Sequence, residues 1–161
     1  MVQSSLVMYE DEFREIEEII SRLVMEANAK SVYLVDKDGQ LIASSGETHG
    51  IDSTSLASLT AGNIAATGGL AKLIGEKEFS ILFHEGEKDN IHISLVGQRV
   101  ILVVIFDDRS SLGLVRLRVR KASEKLNDCI QRILKRMEKG TVKENLFEEI
   151  TDEDIDNLFG Q

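Results

Sequence analysis

The stretch STSLASLTAGNIAATGGLA, residues 53–71, contains no Asp, Glu, Lys or Arg, although 29% of the chain is charged. Such a long gap in charge is typical of surface that is buried or covered by a partner. Ala, Gly, Ser and Thr dominate the stretch, so its backbone can come unusually close to whatever it contacts. We therefore interpret it as a docking element rather than as part of a catalytic motif.

Residues 52–75 are predicted to form a helix that begins at an N-cap on Asp52 or Ser53 and ends at Gly75. At helical spacing, its side chains fall into two lines. The large side chains are predicted to face the core, and they are Leu56, Leu59, Leu70, Leu73 and Ile74. The second line is nearly all small and is predicted to face a partner; it comprises Ala57, Ala61, Ile64, Gly68 and Ala71.

The rest of the chain predicts a sheet and two further helices. A hairpin is predicted from SVYLVD and QLIASSG, which flank an Asp-Gly turn. A three-stranded meander is predicted from EFSILFHEG, NIHISLVG and QRVILVVIFD. The last of these three strands is expected to be buried and central in the sheet. Apolar residues spaced three and four apart predict helices over residues 9–28 and from residue 112 onward. The predicted fold is α/β (α+β type), a five-stranded antiparallel sheet with helices on both faces in the order α-β-β-α-β-β-β-α.

Gly140 is predicted to end the last helix. This divides the chain into a domain at residues 1–139 and an acidic C-terminal tail at residues 140–161. Within the tail, ITDEDIDNLF places three apolar residues on one helical face, as in a short peptide that folds into a groove. These predicted tail contacts are Ile155, Leu158 and Phe159. A disordered solubilising tail is the alternative.

Charge and composition restrict the class of partner. The 161-residue chain has a net charge of −9, which repels nucleic acid and anionic membrane alike, so we expect neither as a partner. No segment has the pattern of a secretory signal or a membrane span. Cys129 is the single cysteine and stands at an apolar helical position, which indicates a core residue in a reducing, cytoplasmic setting.

No motif of the sequence predicts catalysis. A Walker-type loop is absent, and the glycine cluster TGGLAKLIG lies inside a helical pattern, so we expect no nucleotide or other cofactor. His84 and His92, with Glu85 or Asp89, could face one another across the meander turn, but their spacing is weak for zinc and no metal is predicted. Arg109 lies in the loop before the last helix and is the best candidate for an arginine finger supplied to a partner.

The order of elements resembles the roadblock family of dimeric GTPase regulators. The sequence is similar to a bacterial member of that family over roughly residues 6–122, through VYLVDKDGQLIASSG, IDSTSLASLTAGNIAATGGLAKLIG and FDDRSSLGLVRLR, and again at IDNLF near the end. Residues 138–149 show the least likeness.

The resemblance implies a homodimer without an active site of its own that acts on a Ras-like small GTPase in its GTP state. In this family the second helix lies beside its mate, a central strand pairs across the two-fold axis, and the joint surface activates hydrolysis in the service of cell polarity and motility. The GTPase-contact or dimer-contact residues implied are Ala57, Ala61, Ile64, Ala65, Gly68 and Lys72. The tail is expected to influence nucleotide exchange, and the cytoplasmic protein to concentrate at a cell pole.

Two other functions stay open on the sequence. A non-catalytic scaffold that localises the GTPase would bind it without changing its rate of hydrolysis. A small-ligand sensor is the second alternative, because sheet-and-helix domains of this size often enclose a pocket.

Overall fold

The computed structural model describes residues 6–148, and it describes side chains up to Gly140. The elements follow in the order α1 (Glu10–Glu26), β1 (Ser31–Asp36), β2 (Leu41–Gly46), α2 (Ser53–Leu73), β3 (Ile81–Glu85), β4 (Asn90–Val96), β5 (Val100–Phe106) and α3 (Leu112–Glu148). This order confirms the predicted fold. The predicted tail contacts Ile155, Leu158 and Phe159 lie outside the described residues.

The five strands form one sheet in the order β2-β1-β5-β4-β3, and every neighbouring pair is antiparallel. β5 is the middle strand and is buried along its whole length, as its continuous apolar run predicts. The β1–β2 hairpin turns through Gly39, whose φ of +95° favours glycine. β1, β5 and β4 have partners on both sides, so among the five described strands only β2 and β3 have a free edge for pairing with another chain.

Helices α1 and α3 pack together against one face of the sheet. Ile16, Ile20 and Leu23 of α1 and Val115 and Leu126 of α3 join one buried cluster with the residues of β1, β2, β4 and β5 that point to this side. Those strand residues are Val32, Leu34, Ala43, Val96, Val100, Leu102, Val104 and Phe106. Because side chains alternate along a strand, every second residue of each buried strand points into this layer.

Helix α2 lies on the opposite face of the sheet. Ala57 and Ile64 are buried there with Tyr33, Ile101 and Val103. The helix sits close to the β1–β2 turn, since a Cβ at Gly39 would be only 3.6 Å from the Cα of Ser58 and 3.7 Å from the Cβ of Ala61. Small side chains are needed wherever a helix approaches the backbone this closely.

The predicted orientation of α2 is wrong, because its two lines are exchanged. Ala57 and Ala71 are buried and Ile64 is 7% exposed, whereas Leu59, Leu70, Leu73 and Ile74 are exposed. Leu56 alone of the large line is partly buried against the sheet. Periodicity separated the two lines correctly, but the small line faces the sheet and the large one faces outward.

The predicted end of the last helix is also wrong. α3 continues through Gly140 to Glu148. A glycine in an exposed helix costs about 1 kcal/mol relative to alanine, which the good helix formers directly before it, KRMEK at residues 135–139, help to offset. The domain boundary at residue 139 stays a prediction, but it does not coincide with the end of a helix.

No helix within residues 6–148 is both long and apolar enough to cross a lipid bilayer.

Candidate protein-docking surface

Both ends of α2 are fixed by local sequence. The carboxylate of Asp52 accepts hydrogen bonds from the backbone N–H of Ser55 at 3.2 Å and from its hydroxyl at 2.8 Å, which confirms Asp52 as the N-cap. These bonds hold the pKa of Asp52 below its ordinary value. At the other end, Gly75 has a φ of +82° and follows the C-cap Ile74, as predicted for the helix stop.

The side of α2 that points away from the sheet is apolar and exposed. Leu59 is 74% exposed, Leu70 57%, Leu73 82% and Ile74 70%. We call these four residues the outer face of α2. Gly62 and Gly69 lie on the same side with no atom within 4 Å of an added Cβ, so another backbone could approach closely here. Large apolar side chains clustered at such exposure are typical of a protein interaction site.

The predicted contact residues divide between the two sides of the helix. Ala57 and Ile64 are buried against the sheet, and Ala61 packs partly against it. Gly68 is half-buried, while Ala65 and Lys72 are exposed. The predicted contacts themselves stay predictions, and Ala57 and Ile64 are already covered within the single chain. Leu59, Leu70 and Leu73 were missed as surface residues because their size favoured the core.

The edge strand β3 adds an apolar margin on the other side of the sheet. Ile81 is 48% exposed and Phe83 38%, and the Phe83 ring stacks on Phe106 with 6.1 Å between centroids. The strand is tied to α2 by a 3.1 Å hydrogen bond between Asn63 and His84. The exposure of this edge was not predicted from the sequence. The sequence signal that could have indicated an edge strand was the chain order. β3 comes directly after helix α2, so β4 is its only hairpin partner.

Arg109 lies in the β5–α3 loop and is already paired. Its Nε donates to Asp107 at 3.0 Å and 3.2 Å, and its guanidinium lies 3.6 Å from Glu47. These carboxylates raise the pKa of Arg109, and the arginine lowers the pKa of Asp107. A guanidinium held by two carboxylates would have to leave them before it could reach a partner's nucleotide.

The two meander histidines do not face one another. His92 pairs in register with Phe83, and His84 pairs with Ile91, so the two rings point to opposite faces of the sheet. Within residues 6–140 no three His, Cys, Asp or Glu side chains form a group that could hold a metal ion. Cys129 is buried in the core as predicted, and burial raises the pKa of its thiol to about 11.

The fold and the outer face together define a class of protein: a small sheet-and-helix domain with an exposed apolar helix face. The chain belongs to the Roadblock/LC7 domain family, whose model matches residues 15–106. Comparison with curated protein sequences gave no match.

Among solved structures, the chain is similar to MglB of Myxococcus xanthus, with 62% identity, a TM-score of 0.76, and coverage of 80% of this chain and 96% of that one. It is also similar to the gliding protein MglB of Thermus thermophilus, with 33% identity, a TM-score of 0.75 and coverage of 81% and 99%. A third MglB structure, described as having a tetrameric arrangement, shares 31% identity with a TM-score of 0.77 and coverage of 82% and 99%.

Proposed function

We propose that this chain is a GTPase-activating regulator of a bacterial Ras-like small GTPase of the MglA type. The similarity to MglB proteins across about four-fifths of the chain supports this role. From the same similarity we propose that the chain acts in cell polarity and gliding motility, and that it is a cytoplasmic protein concentrated at a cell pole.

The observation that carries the proposal is the outer face of α2. Four large apolar residues there range from 57% to 82% exposed, in a helix that carries no charged side chain between its first residue, Ser53, and Ala71. Leaving this surface in water is unfavourable, since burial of apolar area stabilises by about 25 cal/mol per Å². A protein partner that covers it gains that free energy, and residues 53–71 add no charge that must be desolvated.

The homodimer is proposed to form through α2 and the edge of β3. Pairing of β3 with its mate would join two five-stranded sheets into one and would satisfy the free backbone groups of the edge. The exposed Ile81 and Phe83 of β3 would then be covered near the two-fold axis. The expectation that a central strand pairs across the two-fold axis does not fit this sheet, because β1, β5 and β4 already have partners on both sides and, of the five described strands, only β2 and β3 have a free edge.

Activation of hydrolysis is proposed to occur without catalytic groups from this chain. The dimer binds the GTP-bound partner and holds its switch segments, and with them the partner's own catalytic residues, in the arrangement that favours attack by water. The ion pairs of Arg109 with Asp107 and Glu47 weigh against an arginine finger. In this proposal Ala65, Gly68 and Lys72 remain the contact residues on the flank of the outer face.

The tail is proposed as a second contact. Ile155, Leu158 and Phe159 would dock on the GTPase as one apolar face of an acidic segment and would influence nucleotide exchange. In this proposal the domain at residues 1–139 activates GTP hydrolysis, and residues 140–161 influence nucleotide exchange.

The proposal is tested by single-turnover phosphate release from a GTP-loaded GTPase of the MglA type. We expect the protein to bind the GTP form and to accelerate hydrolysis at saturating concentration. Binding with no change in rate would instead establish the scaffold function, and the absence of binding to the GTP form would refute both.

A further inference from the structure

A cavity of about 450 Å³ lies between α3 and strands β3 and β4, on the face of the sheet opposite α2. Its volume falls within the range of small-molecule sites in proteins. The charged and polar lining residues are Arg116, Arg120, His92, Ser94, Ser80 and Ser123. The lining contains no Asp or Glu, although acidic residues outnumber basic ones 28 to 19 in the chain.

Two polar side chains of this cavity are buried without partners. His92 is 1% exposed and Ser94 is 4% exposed. Both ring nitrogens of His92 and the hydroxyl of Ser94 lack a hydrogen bond within the described part of the chain. Leaving a buried polar group without a hydrogen bond is unfavourable, so three such atoms in one cavity wall favour a ligand that bonds them.

The electrostatics of the cavity select an anion. Neither Arg116 nor Arg120 forms an ion pair with an acidic side chain of residues 6–140, in contrast to Arg132 and Arg136 further along the same helix. Burial and the charge of Arg116 lower the pKa of His92, so its ring is neutral at pH 7 and can donate one N–H.

We propose that this cavity binds a small organic anion with a phosphate or carboxylate group. The anionic group lies between the guanidinium groups of Arg116 and Arg120 and accepts hydrogen bonds from His92 and Ser94. Arginine suits this role because its planar donors match the oxygens of both groups. The apolar body of the ligand packs on Val119, which lines the same cavity. This site is separate from the outer face of α2 and does not depend on the GTPase role.

The test titrates three probes of similar size into the full chain at constant ionic strength: phenyl phosphate, phenylacetate and neutral benzyl alcohol. The NMR signals of the His92 ring, one of only three histidine rings, and the melting temperature are measured. We expect at least one anion to shift the His92 signals and to raise the melting temperature, and the tighter of the two identifies the ligand as a phosphate ester or a carboxylic acid. Benzyl alcohol should do neither.

The double variant Arg116→Gln/Arg120→Gln should bind the anion at least about tenfold more weakly, because it removes both charges from exposed positions of α3 without altering the core. Lys135→Gln, also exposed on α3 but away from the cavity, is the matched control and should bind normally. Failure of both anions to move the His92 signals, or equal affinity in the double variant and the wild type, would overturn the proposal.

Discussion

Ile64 illustrates how a single side chain fixes the orientation of α2. It is 7% exposed and joins the buried cluster of β1, β4 and β5, although its neighbours in the same line are alanine and glycine. Small residues on either side let the helix approach the sheet, and Ile64 fills the space that remains. Ser58 and Ala61 lie within van der Waals contact of a Cβ placed at Gly39, whereas Leu59, Leu70 and Leu73 face outward.

Replacement of Ile64 by alanine should lower the free energy of unfolding by about 2–4 kcal/mol, because it leaves a cavity between α2 and the sheet. Met25→Ala on α1 is the control, since Met25 is 74% exposed, and it should cost less than about 1 kcal/mol. Chemical denaturation of both variants provides the measurement. Equal losses would show that Ile64 is not buried against the sheet.

At the scale of elements, two ion pairs join α1 and α3 in addition to their apolar packing. We call these pairs, Arg136 with Glu12 and Arg132 with Glu15, the polar clamp. Arg136 donates to Glu12 at 2.7 Å and lies over the Tyr9 ring at 4.0 Å, and Arg132 donates to Glu15 at 2.6 Å. Glu12 is only 7% exposed, so its ion pair is screened less than a surface pair would be. The clamp fixes the start of α1 against the middle of α3.

The clamp predicts an acid-sensitive contribution to stability. The hydrogen bond from Arg136 lowers the pKa of Glu12 below its ordinary 4.5, so the stabilisation is present above pH 4.5 and is lost as the pH falls through the lower folded pKa. Wild type should melt above Glu12→Gln at pH 7, and the gap should close towards pH 3. Glu10→Gln, which breaks an exposed pair with Arg14, should show little gap at either pH. A gap for Glu12→Gln that stays constant from pH 7 to pH 3 would contradict this.

The sequence predicted the elements well because their signals are local. The Asp38-Gly39 turn, the N-cap at Asp52 and the stop at Gly75 each depend on a few neighbouring residues. The orientation of α2 depends on how near the helix lies to the sheet, which no local pattern contains. The same holds for the cavity beside His92, because the strand register and the helix α3 bring its residues together from distant parts of the chain.

At the scale of the whole molecule, the two faces of the sheet are covered to different extents. Two helices cover one face, and their apolar stripes are turned inward. A single helix covers the other face and still exposes its own leucines, and the edge strand β3 has one side without a strand partner. An exposed apolar helix face beside a free sheet edge is typical of a surface that another chain covers, and this supports the proposed assembly with a second copy and with the GTPase.

The most direct test of this account is the rate of GTP hydrolysis by a GTPase of the MglA type with Leu70→Glu and Leu117→Glu variants. Both leucines are about half exposed, at 57% on α2 and 48% on α3, so circular dichroism should show both variants folded. We predict that Leu70→Glu loses the acceleration, because a charge on the outer face would have to be desolvated on docking, and that Leu117→Glu keeps it. Acceleration by Leu70→Glu equal to that of the wild type would contradict the assignment of the outer face of α2 as the docking surface.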